Sequence, residues 1–318
     1  MSILVTGGGG FIGSNLVSQL MANGKEIHVM DNRRTEKILS FEELNNNDQF
    51  KFHNIDLLDK ESLLIPKDCK TIFHLAANPE VRIGATNPEV HFSQNVVTTF
   101  NLLEAARKND IEAFIFTSSS TVYGDALTTP THEDYSPMEP ISIYGASKLA
   151  CESIISSYAH TYGIRAVIYR LANIIGEDST HGVIFDFINK LTNNSTELEV
   201  LGDGTQNKSY LHISDCITAI LLGVSSANRR VNIFNVGSKD QIIVRDIASI
   251  VIDEMKLAHT KMKLTGGVDN GRGWKGDIKN MLLDISKIES LGWKPAYNSA
   301  EAVRLTTKRM IPNLIFSR

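Results

Sequence analysis

The sequence predicts an α/β protein built on a doubly wound parallel sheet, with a smaller mixed α/β domain towards its C-terminal end. Three observations predict it. A short apolar run, Ile3-Leu-Val-Thr6, passes into a glycine-rich turn, Gly7-Gly-Gly-Gly10, and then into an apolar stripe at helical spacing. Short apolar, β-branched or aromatic runs then alternate with helical stretches as far as residue 172. Beyond residue 173 the loops lengthen and the alternation breaks down, although Val231–Val236 again reads as a buried strand.

The elements follow in order. Gly7, Gly10 and Gly13 recur every third residue. A backbone that turns this tightly, and that a pyrophosphate must approach closely, needs residues without Cβ atoms. The helix beginning near Phe11 and Ile12 then offers N–H donors and a partial positive charge to the anion. Its stripe of Phe11, Ile12, Leu16, Val17, Leu20 and Met21 stops at Asn23-Gly24. A second strand over 27–30 ends at Asp31-Asn32, where a carboxylate hydrogen-bonds ribose hydroxyls and repels a 2′-phosphate. That favours NAD over NADP, against the two arginines, Arg33 and Arg34, that follow. Residues 36–47 read as a polar loop. A third strand over 50–53 leads to Asp56-Leu57, placed to touch the adenine. The strand over 71–77 ends in Leu75-Ala76-Ala77, small residues against which a cofactor can lie at a switch point of the sheet.

Residues 88–109 read as one helix with Asn95 in its middle, a position that is usually solvated but could here face the cofactor. A strand over 113–117, a helix over 144–162 and a strand over 166–169 continue the pattern. The later region predicts a helix over 183–191, a strand near 198–201 and a helix after Ser214. Strands over 261–264 and at Leu282-Leu283 complete it. The expected domains are residues 1–172 for the dinucleotide, to which the chain returns near 205–250, and residues 173–318, mainly for the substrate.

Composition excludes several classes. The chain of 318 residues is 42% hydrophobic and 21% charged, with a net charge of −4 and no basic block. That gives nucleic acid no electrostatic footprint. No apolar run approaches the roughly 20 residues that span a bilayer. The strand and glycine turn begin too early for a secretory leader. Cys69, Cys151 and Cys216 are few, scattered and odd in number, which argues for buried thiols in a reducing compartment. The nine histidines form no metal-binding spacing. A cytoplasmic protein without a metal is expected.

The chemistry-bearing signal is Tyr144-Gly-Ala-Ser-Lys148. Residues four apart on a helix project from one face. A phenol, unperturbed near pH 10, is a poor base; a neighbouring ammonium favours its phenolate, as does the positively charged nicotinamide ring of an oxidised cofactor. The serine cluster Ser118-Ser-Ser-Thr-Val-Tyr-Gly124 follows a strand, so Ser119 or a neighbouring hydroxyl could share a substrate hydroxyl with Tyr144.

These residues carry a resemblance. The chain resembles the extended short-chain dehydrogenases/reductases, specifically the NAD-dependent epimerase/dehydratase family and its nucleotide-sugar 4-epimerases. The resemblance rests on Thr6-Gly-Gly-Gly-Gly-Phe-Ile-Gly13, Asp31-Asn32, Asp56-Leu57, Leu75-Ala-Ala77, Asn95, Tyr144 with Lys148, and Arg170-Leu-Ala-Asn173. Gly202-Asp-Gly-Thr205 with Lys208, Leu283-Asp-Ile-Ser-Lys287 and Leu291-Gly-Trp-Lys-Pro295 extend it over essentially the whole chain. It implies a Rossmann-type fold and a tightly bound NAD held by Gly7, Gly10, Phe11, Ile12, Gly13, Asp31, Asn32, Asp56, Leu57, Leu75, Ala76, Ala77, Asn95, Tyr144, Lys148 and Leu171. It also implies a catalytic Tyr144, Lys148 and Ser119, and a homodimer formed through the helices over 88–109 and 144–162.

For the substrate, the resemblance places Asn173 and the helix start at Gly182-Val183 against a nucleotide-sugar diphosphate. The strand region from Glu199 to Leu201 would hold a uracil through backbone groups. Lys208 stands where the family has arginine, keeping the charge but losing the bidentate fork. Arg272 is the nearest candidate for the second arginine, with Asp277 in the same stretch. Met281 sits where the family tunes room around the sugar C2 substituent, so N-acetylated sugars would fit. Ser120 and Thr121 replace the Asp-Glu pair of the dehydratases, which argues against elimination. The implied reaction is reversible inversion at C4 of a UDP-hexose. A UDP-glucuronate 4-epimerase, a nucleotide-sugar reductase, a dinucleotide-sensing regulator and a hydroxy amino acid dehydrogenase are the competing readings.

Overall fold

The computed structural model describes residues 2–33, 35, 38, 40 and 49–315. In it the glycine turn joins β1 (Ser2–Thr6) to a helix over Phe11–Ala22. β1 is buried because strands flank both its edges. β2 (Ile27–Asp31) pairs with it in parallel, Ile3 opposite Ile27 and Thr6 opposite Met30. β4 (Cys69–His74) pairs on the other side, with Thr6 opposite His74. β3 (Phe50–Asn54) lies outside β2, while β5 (Ala113–Ser119), β6 (Arg165–Leu171) and β11 (Val231–Val236) lie beyond β4. The order of this seven-stranded parallel sheet is β11-β6-β5-β4-β1-β2-β3. It reverses between β1 and β4, so the carboxyl ends of those strands form the crevice where such sheets bind ligands. Strands this deep in a parallel sheet are apolar on both faces, and every residue of β5 except Ser119 is buried.

The chain divides into two compact units. The first comprises residues 1–122, 143–170 and 220–234; the second comprises 123–142, 171–219 and 235–318. Leu4, Ile72, Leu102, Phe114 and Ile168 anchor the core of the first, which the helices pack around. The core of the second gathers Ile188, Leu198, Val200, Ile247 and Val303. In that unit β8 (Glu197–Val200) pairs with β13 (Lys261–Leu264), and β7 (Asn173–Ile175) with β10 (Tyr210–His212). β9 (Asn207–Lys208) runs between β12 (Ile242–Ile243) and β14 (Asn280–Met281).

Three elements differ from their sequence patterns. The strand expected over 71–77 ends at His74, and the Leu75 amide then bonds to the Thr6 carbonyl. The strand expected at Leu282-Leu283 is shifted to Asn280–Met281, while Leu283 makes an isolated bridge to Thr131. The helix over Pro88–His91 and Thr98–Lys108 contains a π-helical turn, Phe92–Val97, around a buried Asn95. Arg34 and the polar stretch 36–47, apart from Ile38 and Ser40, lie outside the described residues. The three cysteines are buried and unpaired. Among the described residues no helix is long and apolar enough to cross a membrane.

Candidate active site

The glycine turn is shaped by what it must avoid. Gly7 has φ +70°, and a Cβ there would lie 2.6 Å from the Ala76 nitrogen. A Cβ on Gly13 would lie 2.1 Å from the Gly7 carbonyl oxygen. Both are closer than atoms can approach, so the turn, the first helix and the Leu75-Ala76-Ala77 backbone interlock only without side chains. Gly10 caps the Phe11–Ala22 helix with no side-chain bond. The first helical bond runs from the Ser14 amide to the Gly10 carbonyl, 2.8 Å, which leaves the Phe11, Ile12 and Gly13 amides ahead of it. Asp31, at the end of β2, accepts the Gly9 amide at 2.9 Å and the Arg33 amide at 3.0 Å, with exposed Asn32 between. This bare, electropositive cradle beside a fixed carboxylate fits a dinucleotide.

The remaining expected cofactor residues are held mainly by protein contacts. Asp56 accepts the Leu58 amide at 2.9 Å, and buried Leu57 offers its carbonyl to Asn101 at 2.9 Å. Asn95 is spent at both ends, accepting the Asn78 amide at 2.8 Å and donating to the Ser147 hydroxyl at 2.9 Å. It ties the loop after β4 to the helix of Tyr144. Leu171 is buried at the end of β6.

The Ile143–Tyr162 helix carries Tyr144 and Lys148 one turn apart. The Tyr144 hydroxyl shares a hydrogen bond with Ser119, the last residue of β5. The Ser119 oxygen also accepts the Thr121 amide at 3.2 Å and the Thr121 hydroxyl at 2.9 Å. Phenol and hydroxyl therefore meet at one point, where a substrate hydroxyl can be shared. Lys148 is buried, donates to the Thr117 carbonyl at 2.9 Å, and lies 5.9 Å from the centre of the Tyr144 ring. Tyr144 is only half-buried, and desolvation raises its phenol against the Ser119 bond that lowers it. Burial also brings the Lys148 ammonium down to about 8, against the raising influence of Cys151 and Glu152. The ammonium bonds to a carbonyl, and desolvation of the phenolate dominates.

In the second unit Asn173 donates its amide side chain to the Ser209 carbonyl at 3.0 Å. Gly182, at φ +98°, begins the helix Val183–Asn193 with no side-chain cap. Glu199 pairs with Lys190 at 2.9 Å, and its carbonyl accepts the same ammonium at 3.1 Å. The Leu201 carbonyl accepts Gln206 at 2.9 Å. Lys208 stands beside Met281 across the β9–β14 pairing. Its Nζ lies 2.5 Å from Asp277 Oδ1 and 5.5 Å from the Trp274 ring. The other Asp277 oxygen accepts the Gly273 amide at 3.1 Å. Arg272 bonds to Asp125 and to the Asp277 carbonyl. Asp277 thus binds Lys208 and the loop carrying Arg272 into one cluster.

The model of the NAD dependent epimerase/dehydratase family matches residues 3–237. The chain belongs to the NAD-dependent epimerase/dehydratase family. A solved UDP-galactose 4-epimerase is similar to it at 40% identity and a TM-score of 0.86, over 99% of this chain and 100% of that one. UDP-glucuronic acid 4-epimerase from Bacillus cereus, solved with UDP-glucuronic acid and NAD, matches at 28% identity and a TM-score of 0.86, over 99% of this chain and 100% of its own. The UDP-glucose 4-epimerase of Mycolicibacterium smegmatis is 30% identical over 97% of this chain and 98% of its own. As in this family generally, the cofactor is NAD.

Around Tyr144 and Lys148 of this epimerase/dehydratase family member lie residues that motif reading passed over. Glu152, one turn after Lys148, accepts the Ser118 hydroxyl at 2.5 Å and the Arg170 guanidinium at 2.7–3.2 Å. All three are buried, so this carboxylate fastens the Tyr144 helix to the strand end carrying Ser119. His74 bridges the Thr6 and Thr99 hydroxyls at 2.7 and 2.9 Å. His91 packs edge-on against Tyr144, ring centres 5.5 Å apart. The spacing Tyr144, Lys148, Glu152 was a readable signal, since each step is four residues along one helix face.

Proposed function

We propose that the protein is an NAD-dependent UDP-sugar 4-epimerase that inverts C4 of UDP-hexoses such as UDP-glucose and UDP-galactose, the N-acetylhexosamines included. The observation that carries this reading is the hydrogen bond between Tyr144 and Ser119 with buried Lys148 5.9 Å from the Tyr144 ring, and with Ser120 and Thr121 where elimination would need two acids. When bound, NAD supplies the acceptor, and later the donor, for the C4 hydride. Tyr144 takes the C4 hydroxyl proton as the 4-keto sugar forms and returns it when the opposite face is reduced. Ser119 holds the same oxygen throughout. A phenol is protonated at neutral pH, so the base form of Tyr144 is favoured by positive charge beside it, from Lys148 and from the ring of an oxidised nicotinamide.

Lys208 and Arg272 serve as the diphosphate clamp, helped by Asn173 and the amides at the Gly182-Val183 helix start. A firmly held diphosphate leaves the sugar ring to turn. Reuse of the cofactor within each cycle favours its tight retention. A second copy of the chain is the expected partner: Phe92, Phe100 and Tyr162 are all exposed on the two long helices of the first unit.

The test is incubation with UDP-glucose, UDP-N-acetylglucosamine and UDP-glucuronate without added cofactor, followed by separation of products. C4 epimers of the first two support the reading, and no conversion of any refutes it. Conversion of UDP-glucuronate alone favours the second reading, a UDP-glucuronate 4-epimerase, which similarity to the Bacillus cereus enzyme supports.

A further inference from the structure

The two clamp cations are neutralised in different ways. Lys208 is paired with Asp277, a buried carboxylate also fixed by the Gly273 amide, so this pair belongs to the framework. Arg272 turns its fork to Asp125, with Nη2 2.7 Å from Oδ2 and Nη1 3.1 Å from Oδ1. The Asp125 side chain is 47% exposed, against 17% for Arg272. Among the described residues the Asp125 carboxylate makes no other hydrogen bond. This is a bidentate pair held on one side by a residue that water can readily take back.

Carboxylate and phosphate compete for the same planar face of a guanidinium. A diphosphate engaging Arg272 must displace Asp125, and the displaced carboxylate remains on the same loop as a nearby negative charge. We propose that Asp125 sets substrate affinity by acting as an exchangeable anion on the Arg272 fork, weakening the hold on the diphosphate and hastening its release. This rests on Arg272 being a diphosphate ligand. Lys208 lacks such a competitor: its partner is buried and stays. The clamp therefore combines one permanent ion pair with one exchangeable pair, and Asp125 is the residue that tunes it.

The test is calorimetric titration of UDP into NAD-loaded wild-type protein, Asp125→Asn, Asp125→Ala, Arg272→Gln and the Asp125→Asn/Arg272→Gln double variant. Breaking a half-exposed pair and removing a nearby like charge should each count modestly, so Asp125→Asn and Asp125→Ala are expected to tighten UDP about fivefold. Arg272→Gln is expected to weaken it at least about tenfold, and in that background the Asp125 effect should largely vanish. If Arg272→Gln weakens UDP but neither Asp125 variant tightens it, the exchange is overturned and the clamp stands. If the Asp125 effect is undiminished without Arg272, the carboxylate acts only through its field, which also overturns the exchange. If Arg272→Gln leaves UDP binding unchanged, the clamp reading itself fails.

Discussion

Replacing His74 by glutamine should flatten the loss of stability on acidification. His74 is fully buried, with Thr6 on one ring nitrogen and Thr99 on the other. Burial, and then the Lys148 ammonium, hold its pKa down to about 3. In the unfolded chain it titrates near its ordinary value of 6.5. Between those values the unfolded state binds more protons, so stability falls as pH drops from about 6.5 towards 3 and levels off below. At about pH 5 the loss from this ring is roughly 2 kcal/mol. Urea denaturation of wild type and His74→Gln, each at about pH 7 and pH 5, gives the difference of differences. The constant cost of substitution cancels, as do the other buried histidines, because they are present in both proteins. Wild type should lose about 2 kcal/mol more than the variant between the two pH values. Equal losses would show that the ring carries a proton, or an anionic neighbour, when folded.

Tyr144→Phe should lower turnover by about 10² to 10⁴-fold while leaving NAD and UDP binding near wild type; near-normal kcat would remove Tyr144 from the proton-transfer role. Glu152→Ala strips a buried guanidinium of its carboxylate partner and should cost about 3–5 kcal/mol in urea denaturation, whereas Glu152→Met combined with Arg170→Met should cost much less than the two changes summed. Additive losses would mean the pair is not coupled as its geometry implies. Met281→Tyr should depress turnover of UDP-N-acetylglucosamine relative to UDP-glucose by roughly tenfold, as measured by the ratio of kcat/KM values, and an unchanged ratio would detach Met281 from sugar selection.

Much of this was legible because it is local. The turn from β1 into its helix, the Asp31 at the end of β2, and the Tyr144–Lys148 step are all set within a few residues by backbone geometry. Val231–Val236 was readable as a strand from Val231, Ile233, Phe234 and Val236, although Asn232 and Asn235 interrupt the apolar run. The surroundings of the phenol were not legible. A lysine one turn away is visible in the sequence, but the Thr117 carbonyl that takes its ammonium and the half-burial of Tyr144 are set by the fold. Asn95 showed the same limit: mid-helix polarity reads as solvated, whereas the π turn buries it between Asn78 and Ser147. Asp125 and Arg272 are 147 residues apart in sequence, and no periodicity announces such a pair.

The three-segment composition of the first unit bears on how the protein is made. Its last segment ends at residue 234, so most of the chain must leave the ribosome before β11 can close the edge beside β6. By then residues 171–219, which belong to the other unit, have already emerged. During that interval β6 presents an unpaired, apolar edge, the kind of surface that recruits foreign strands. A fragment cut at residue 172 would keep the glycine turn, Tyr144 and Lys148 yet carry that open edge permanently. The smallest independently useful piece of this protein is therefore not its first half, even though nearly every recognisable cofactor motif lies there.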